Sequence, residues 1–124
     1  MITGKRLIKA WIKALRSGKY KQTKGQLYNP ATKGFCCLGV LEHVATGGMV
    51  EAAYESDVLI SHYTVSNAFQ DEYGIQPLQP ALYTLMGMND YEGETFDKIA
   101  DYIEGYVLPN FAEPARSKIN TEMT

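Results

Sequence analysis

The sequence predicts a small α+β domain that is mainly helical, with a short β-hairpin between its first and second helices. Apolar residues recur at helical spacing near both ends of the chain. Between the first two predicted helices, the turn sequence N-P-A-T-K-G separates two short strand candidates. A chain of 124 residues, 45% hydrophobic and 21% charged, has the size and composition of one globular domain. We therefore predict a single domain over residues 1–111.

The first helix is predicted to begin after an N-cap at Thr3 and to run to about Arg16, where Ser17 and Gly18 stop it. Its buried stripe consists of Leu7, Ile8, Trp11, Ile12 and Leu15. A second column on this helix is basic and consists of Lys5, Lys9, Lys13 and Arg16. Because like charges at this spacing repel one another, we expect acidic groups to face them.

The hairpin and the second helix follow. The strand candidates are residues 26–28 and 34–36, and the turn between them has the residue types that turns favour. From Cys36 to about Thr46 the apolar residues have helical spacing, and the pair Gly47-Gly48 is a strong stop signal.

The middle of the chain is less regular. Residues 49–63 fit either a short helix or an irregular insertion, with a brief strand at 58–60. Ser66 is predicted to cap a helix that ends at Gly74, and Pro80 to begin a short helix through Met86.

The clearest helix begins at Glu94-Thr95, after a predicted turn at residues 89–93, and ends at Pro109. Its apolar face consists of Phe96, Ile99, Ala100, Ile103 and Val107, and its acidic column of Asp97, Asp101 and Glu104. If this helix packs beside the first one, the acidic column faces the basic one. After it comes a polar tail, residues 112–124, which would need to dock on the domain or on a neighbouring subunit to be ordered.

The charge is distributed very unevenly. The first 33 residues hold nine Lys and Arg and no acidic residue, whereas the remainder holds three basic residues and all fourteen acidic ones, for a net charge of -2. Such asymmetry indicates either an anionic partner for the basic half or pairing between the two halves.

The candidate binding site is the loop at the end of the first helix, from Arg16 to Lys24, which is rich in lysine and contains Tyr20. Cations attract phosphate, aromatic faces stack on bases, and backbone N–H groups at Gly18 and Gly25 would let an anion approach closely. We also expect Asn89 and Asp90 to contact the sugar or a base edge of the ligand. The candidate ligand-binding residues are therefore Arg16, Lys19, Tyr20, Lys21, Lys24, Tyr28, Asn89 and Asp90. The competing interpretation is a solvated lysine-rich loop, since neither a P-loop nor G-x-G-x-x-G is present.

The adjacent pair Cys36-Cys37 has two interpretations. A thiolate at a helix N-terminus near lysines would be a nucleophile, but the neighbouring residues are apolar, which favours a place in the core. Only His43 and His62 could complete a site, so we predict no metal and no cofactor. Unpaired cysteines also favour a reducing compartment.

Three further expectations concern surroundings and partners. The run M-I-T-G-K-R-L-I-K-A mixes lysine with apolar residues, which is atypical of a secretory signal, and no apolar run approaches membrane-helix length. We therefore expect a cytoplasmic protein without a membrane partner. Nine tyrosines exceed the needs of a small core, and Tyr102 and Tyr106 with Phe111 are candidates for a homo-oligomer interface.

Three blocks carry a resemblance to a family. W-I-K-A-L-R-S-G-K-Y-K-Q, F-C-C-L-G-V-L and M-N-D-Y-E-G-E-T-F-D-K-I-A-D-Y-I resemble blocks of small, mostly uncharacterised bacteriophage proteins. The resemblance covers about half of the chain, and residues 49–80 depart from it. It implies a phage accessory protein in the bacterial cytoplasm, and by analogy a counter-defence role.

Together these observations favour a non-enzymatic protein that binds a phosphate-bearing ligand, either a signalling nucleotide or a nucleic acid. The alternative is a protein inhibitor whose basic face docks on an acidic host protein. A third reading is an enzyme that uses Cys36 or Cys37.

Overall fold

The computed structural model describes residues 2–48 and 65–113 of the chain. The predictions for residues 49–63 and for the tail beyond residue 113 lie outside them. The elements are α1 (Gly4–Arg16), β1 (Lys21–Gln22), β2 (Tyr28–Asn29), β3 (Gly34–Phe35), α2 (Cys37–Thr46), α3 (Asn67–Tyr73), a 3₁₀ helix (Gln76–Ala81), α4 (Leu82–Asp90), α5 (Phe96–Tyr102) and a π-helical segment (Ile103–Val107). The predicted fold class, a mainly helical α+β domain with a hairpin between the first two helices, is confirmed.

Helix α1 lies against α2 and α5 and buries the predicted apolar stripe. Trp11 is completely buried, and its indole Nε1–H donates to the carbonyl of Cys37 at 2.8 Å, which joins α1 to the start of α2. At the other end, the backbone N–H of Lys5 donates to Oε1 of Glu113 at 2.8 Å. A carboxylate at this position is favourable because the N-terminus of a helix carries partial positive charge.

The small sheet has the order β1-β3-β2. Strands β2 and β3 are antiparallel, as the predicted hairpin requires, and Tyr28 is paired with Phe35. Strand β1 was not predicted and pairs in parallel with β3, so that Lys21 lies opposite Gly34. Two residues, Lys and Gln, show no apolar alternation, and only the tertiary fold makes them a strand.

Helix α2 begins one residue later than predicted because Cys36 is its N-cap, with Sγ accepting from the N–H of Gly39 at 3.4 Å. It ends at Thr46, and the C-cap that follows, Gly47, has a left-handed backbone. A Cβ on Gly39 would overlap the carbonyl oxygen of Leu27, so this glycine lets the helix contact the hairpin backbone directly.

Of the helices after residue 64, α3 agrees with the sequence at both ends, whereas the helix predicted from Pro80 to Met86 differs at both. Ser66 caps α3 by accepting from Phe69 N–H at 3.1 Å, and Gly74 ends it, as predicted. Pro80 lies inside the 3₁₀ helix instead of starting a helix. Helix α4 continues four residues beyond the predicted end at Met86, because Met88 and Asn89 extend its buried face.

Helix α5 is capped by Thr95, whose Oγ1 accepts from the N–H of Lys98 at 3.3 Å. The predicted apolar face is buried throughout and continues into the π-helical segment. No helix in the described part of the chain is long and apolar enough to cross a membrane.

Candidate functional site

Among the described residues, an acidic pair holds the predicted ligand residue Arg16. Its Nη2 lies 2.8 Å from Oδ1 of Asp101 and 2.9 Å from Oε1 of Glu104. The hydrogen bond to Glu104, followed by that to Asp101, raises the pKa of Arg16 above its ordinary value. The predicted pairing between the first and last helices is therefore found at Arg16. The two carboxylates occupy Nη2 and repel a phosphate, but the other donors of this guanidinium make no ion pair with a described residue. Arg16 as a phosphate ligand therefore stays a prediction.

Six other cations on α1 and in the loop after it are exposed and make no ion pair with a described residue. Within residues 2–48 and 65–113, no acidic group lies within ion-pair distance of any of them. They are Arg6, Lys9 and Lys13 on α1 and Lys19, Lys21 and Lys24 in the loop that follows, and we call them the basic face. The first three occur at i, i+3 and i+7, which places them on one side of the helix.

Asn89 holds the loop against the helices. Its side chain is completely buried. Oδ1 accepts from Gln22 Nε2 at 2.9 Å and from the N–H of Cys37 at 3.2 Å, and Nδ2 donates to the carbonyl of Thr23 at 2.8 Å. The prediction that Asn89 contacts a ligand is therefore wrong, because no solvent reaches its amide and the protein itself uses it.

Asp90, the residue after Asn89, also holds the loop in place. Its Oδ1 accepts from the N–H of Gly25 at 3.0 Å and from Nδ2 of Asn89 at 2.8 Å. The backbone N–H of Gly25, which the sequence offered to an external anion, is thus held by a carboxylate of the same chain. Asp90 itself is half-buried and lines a groove, so it remains accessible to a ligand.

The two predicted stacking residues lie in the packing behind the loop. Tyr28 is only 1% exposed, so the prediction that it stacks on a base is wrong. Tyr20 is half-buried, and its ring lies edge-on to Phe35 at 5.3 Å and to His43 at 5.2 Å between centroids. Its hydroxyl is hydrogen-bonded to Nδ1 of His43 at 2.8 Å. These contacts favour a structural role for Tyr20.

Two exposed tyrosines beside the loop were missed. Tyr83 is 81% exposed and Tyr91 is 87% exposed. They line a groove of about 390 Å³ together with Gly25, Met86, Gly87 and Asp90. The sequence contained a signal for Tyr83: Leu82 and Leu85 share one helical face, and position 83 falls outside that face.

Residues 4–82 match the family model described as a domain of unknown function, DUF8296. The chain belongs to the DUF8296 family. No curated protein and no solved structure matches it. The matched region of this DUF8296 chain contains the whole basic face, whereas the tyrosine-lined groove lies mostly after its end.

The cysteines of the DUF8296 chain belong to the core. Burial raises the pKa of Cys36 to about 12 and that of Cys37 well above its ordinary value. Cys37 Sγ lies 3.6 Å from the carbonyl oxygen of Leu85. Both side chains are therefore neutral thiols at pH 7, which leaves no nucleophilic thiolate here. His62 lies outside the described residues, and the described ones contain no group of three or more side chains that could hold a metal.

The candidate oligomer interface contains a second groove, of about 310 Å³, lined by Tyr102, Tyr106 and Phe111 among others. Tyr106 is 60% exposed, but Phe111 is only 4% exposed. Phe111 therefore packs mainly in the core, and a homo-oligomer interface at these residues stays a prediction.

Proposed function

We propose that this DUF8296 protein binds nucleic acid through phosphate contacts from its basic face. The observation that carries the proposal is the presence, on α1 and the loop after it, of six exposed cations without an acidic partner among the described residues. These like charges repel one another, and a polyanion that neutralises them also releases its own counterions.

The arrangement of the cations favours a polymer over a small nucleotide. Helix α1 has 13 residues and is therefore about 20 Å long, so its cations are spread along a surface. Three grooves that are lined by described residues have no Lys or Arg in their lining. A chain of phosphates can contact such a row of cations, whereas a signalling nucleotide would leave most of them unpaired.

The acidic residues support one orientation of the ligand. Asp97, Asp101 and Glu104 are exposed on α5 and on the segment that follows it. Helix α5 packs beside α1, and two of these carboxylates are directed to Arg16. A polyanion would be repelled by that side and attracted to the basic face.

Lys21 also has a purely structural explanation. Strand β1 is at the edge of the sheet, and lysines on edge strands prevent pairing with other chains. This explanation does not extend to Arg6, Lys9 and Lys13, which lie on a helix, or to Lys19 and Lys24, which lie outside the strand.

The resemblance to bacteriophage proteins supports the wider role that we propose. In that role the protein is a non-enzymatic accessory protein in the bacterial cytoplasm and acts against a host defence that involves nucleic acid. The thiols of Cys36 and Cys37 are neutral and buried, which supports a binding protein over an enzyme with a cysteine nucleophile.

The proposal is tested by fluorescence anisotropy with short labelled single strands and duplexes. Replacement of Lys19, Lys21 and Lys24 by Gln should weaken binding by about tenfold or more, because three phosphate contacts are lost. Lys98→Gln is the matched control, since Lys98 is exposed on α5 and outside the basic face. Equal affinity of the triple variant and the wild type would contradict the proposal. A bound acidic protein that survives nuclease treatment, without any binding of oligonucleotide, would favour the inhibitor alternative.

A further inference from the structure

The groove beside the loop is lined by Tyr83 and Tyr91, with Gly87 between them. Tyr83, Gly87 and Tyr91 occur at i, i+4 and i+8, so they lie in one row on the outer side of α4 and its C-cap. A helix rises 1.5 Å per residue, which places the two tyrosine Cα atoms about 12 Å apart along it. A Cβ on Gly87 would meet nothing within 4 Å. The glycine therefore leaves space between the rings.

A cation lies near this groove, although it is not part of the lining: Lys24 precedes the lining residue Gly25. Lys24 Nζ is 3.8 Å from the position that a Cβ on Gly93 would occupy, so the lysine extends towards the turn after Tyr91. It belongs to the basic face and has no acidic partner within residues 2–48 and 65–113. A phosphate can therefore be held beside Tyr91.

A hydrogen-bond acceptor lies in the groove as well. Oδ1 of Asp90 is occupied by Gly25 and Asn89, whereas Oδ2 makes no hydrogen bond to any described residue. A carboxylate oxygen repels phosphate but accepts readily from the amino group of a base. Oδ2 of Asp90 can therefore bind the edge of a base but not the phosphate backbone of a nucleic-acid strand.

We infer that this groove is a subsite for unpaired bases of a single-stranded nucleic acid, an inference that rests on the proposed function. Tyr83 and Tyr91 stack on bases, Lys24 holds an adjacent phosphate, and Asp90 accepts from an exocyclic amino group. A duplex hides the faces of its bases, so the subsite is specific for single strands. Asp90 favours cytosine over uracil, because cytosine carries an N4 amino group where uracil carries an oxygen.

The first test compares the Tyr83→Ala/Tyr91→Ala variant with the wild type by anisotropy. Single-strand binding should weaken by about fivefold or more for each ring, whereas duplex binding should remain unchanged. Tyr106→Ala is the matched control, because Tyr106 is exposed in a different groove. All three tyrosines are largely exposed, and equal melting temperatures would verify that the variants fold.

The second test uses oligo-dC and oligo-dU, and the corresponding RNA strands. The wild type should bind the cytosine strand more tightly. In Asp90→Asn, the remaining oxygen keeps the contact to Gly25 and an NH₂ donor takes the place of Oδ2, so the preference should shift towards uracil, whose O4 is an acceptor.

Equal binding of the cytosine and uracil strands together with unaffected tyrosine variants would overturn the subsite. Salt-dependent binding of both single strands and duplexes would in that case leave the proposed function standing. Loss of self-association in the tyrosine variants, without loss of single-strand binding, would identify the rings as an interface between copies and overturn the subsite too. A wild type that binds neither kind of nucleic acid would overturn both proposals.

Discussion

At the scale of single residues, Asn89 determines where the basic loop lies. Its amide has two donors and an oxygen with two lone pairs, and hydrogen bonds to four groups use all of them. The partners belong to β1, the loop, the start of α2 and the end of α4. One buried side chain on α4 therefore fixes the position of β1 with its loop and of the start of α2.

We predict that Asn89→Ala lowers the free energy of unfolding by about 3 kcal/mol or more, because it leaves buried partners without hydrogen bonds. Urea denaturation monitored by circular dichroism measures this loss. Asn110→Ala is the control: Asn110 is exposed and its side chain makes one hydrogen bond, to the carbonyl of Tyr106, so the loss should be below about 1 kcal/mol. Equal losses in the two variants would contradict the role assigned to Asn89.

The cysteine pair gives a second prediction at this scale. Since burial raises the pKa of Cys36 from 9.0 to about 12, the folded state keeps a proton that the unfolded state releases above pH 9. This contribution to stability is complete below pH 9 and is lost as the pH rises towards 12. A thiol reagent at pH 8 should label the native protein slowly and the urea-unfolded protein rapidly. Rapid labelling of the native protein would show an accessible thiolate.

At the scale of elements, the contact between α2 and the hairpin depends on the absence of a side chain at Gly39. The carbonyl of Leu27, which a Cβ there would overlap, also accepts from the N–H of Cys36 at 3.1 Å. The hairpin backbone therefore cannot move away without loss of its hydrogen bond to Cys36, the N-cap of α2.

Matched glycine substitutions test this contact. Gly39→Ala should destabilise the protein by about 2 kcal/mol or more, because either the helix or the hairpin must shift. Gly87→Ala should instead stabilise it by about 0.5–1 kcal/mol, since Gly87 is helical and has open space around it. Thermal unfolding of both variants measures the two effects. A stable Gly39→Ala variant with an unchanged melting temperature would contradict the packing described.

The elements also show what the sequence could predict. Helices α1 and α5 were predicted closely because their apolar faces repeat over several turns, and α3 because Ser66 and Gly74 mark both ends. Strand β1 was missed because two polar residues carry no pattern. Asn89 and Asp90 were assigned to a turn because their polarity resembles turn chemistry, and burial of Asn89 depends on contacts more than 50 residues away.

At the scale of the whole molecule, the uneven charge of the sequence corresponds to two different surfaces, one basic and one acidic. Acidic residues of α5 and its extension hold Arg16, and six other cations lie without a described acidic partner on α1 and its loop. The sequence predicted the loop lysines as candidates. It could not show that Tyr20 and Tyr28 pack inward or that Tyr83 and Tyr91 lie beside the loop, because each position depends on how distant segments meet.

The salt dependence of nucleic-acid binding tests the basic face most directly. Log affinity should fall linearly with log salt concentration, with a slope set by the number of phosphates contacted. Replacement of Lys19, Lys21 and Lys24 by Gln should reduce the magnitude of that slope by about 2–3, whereas Lys98→Gln should leave it unchanged. A wild-type affinity that is independent of salt, or the same slope in the wild type and the triple variant, would contradict the assignment of the basic face as a phosphate-binding surface.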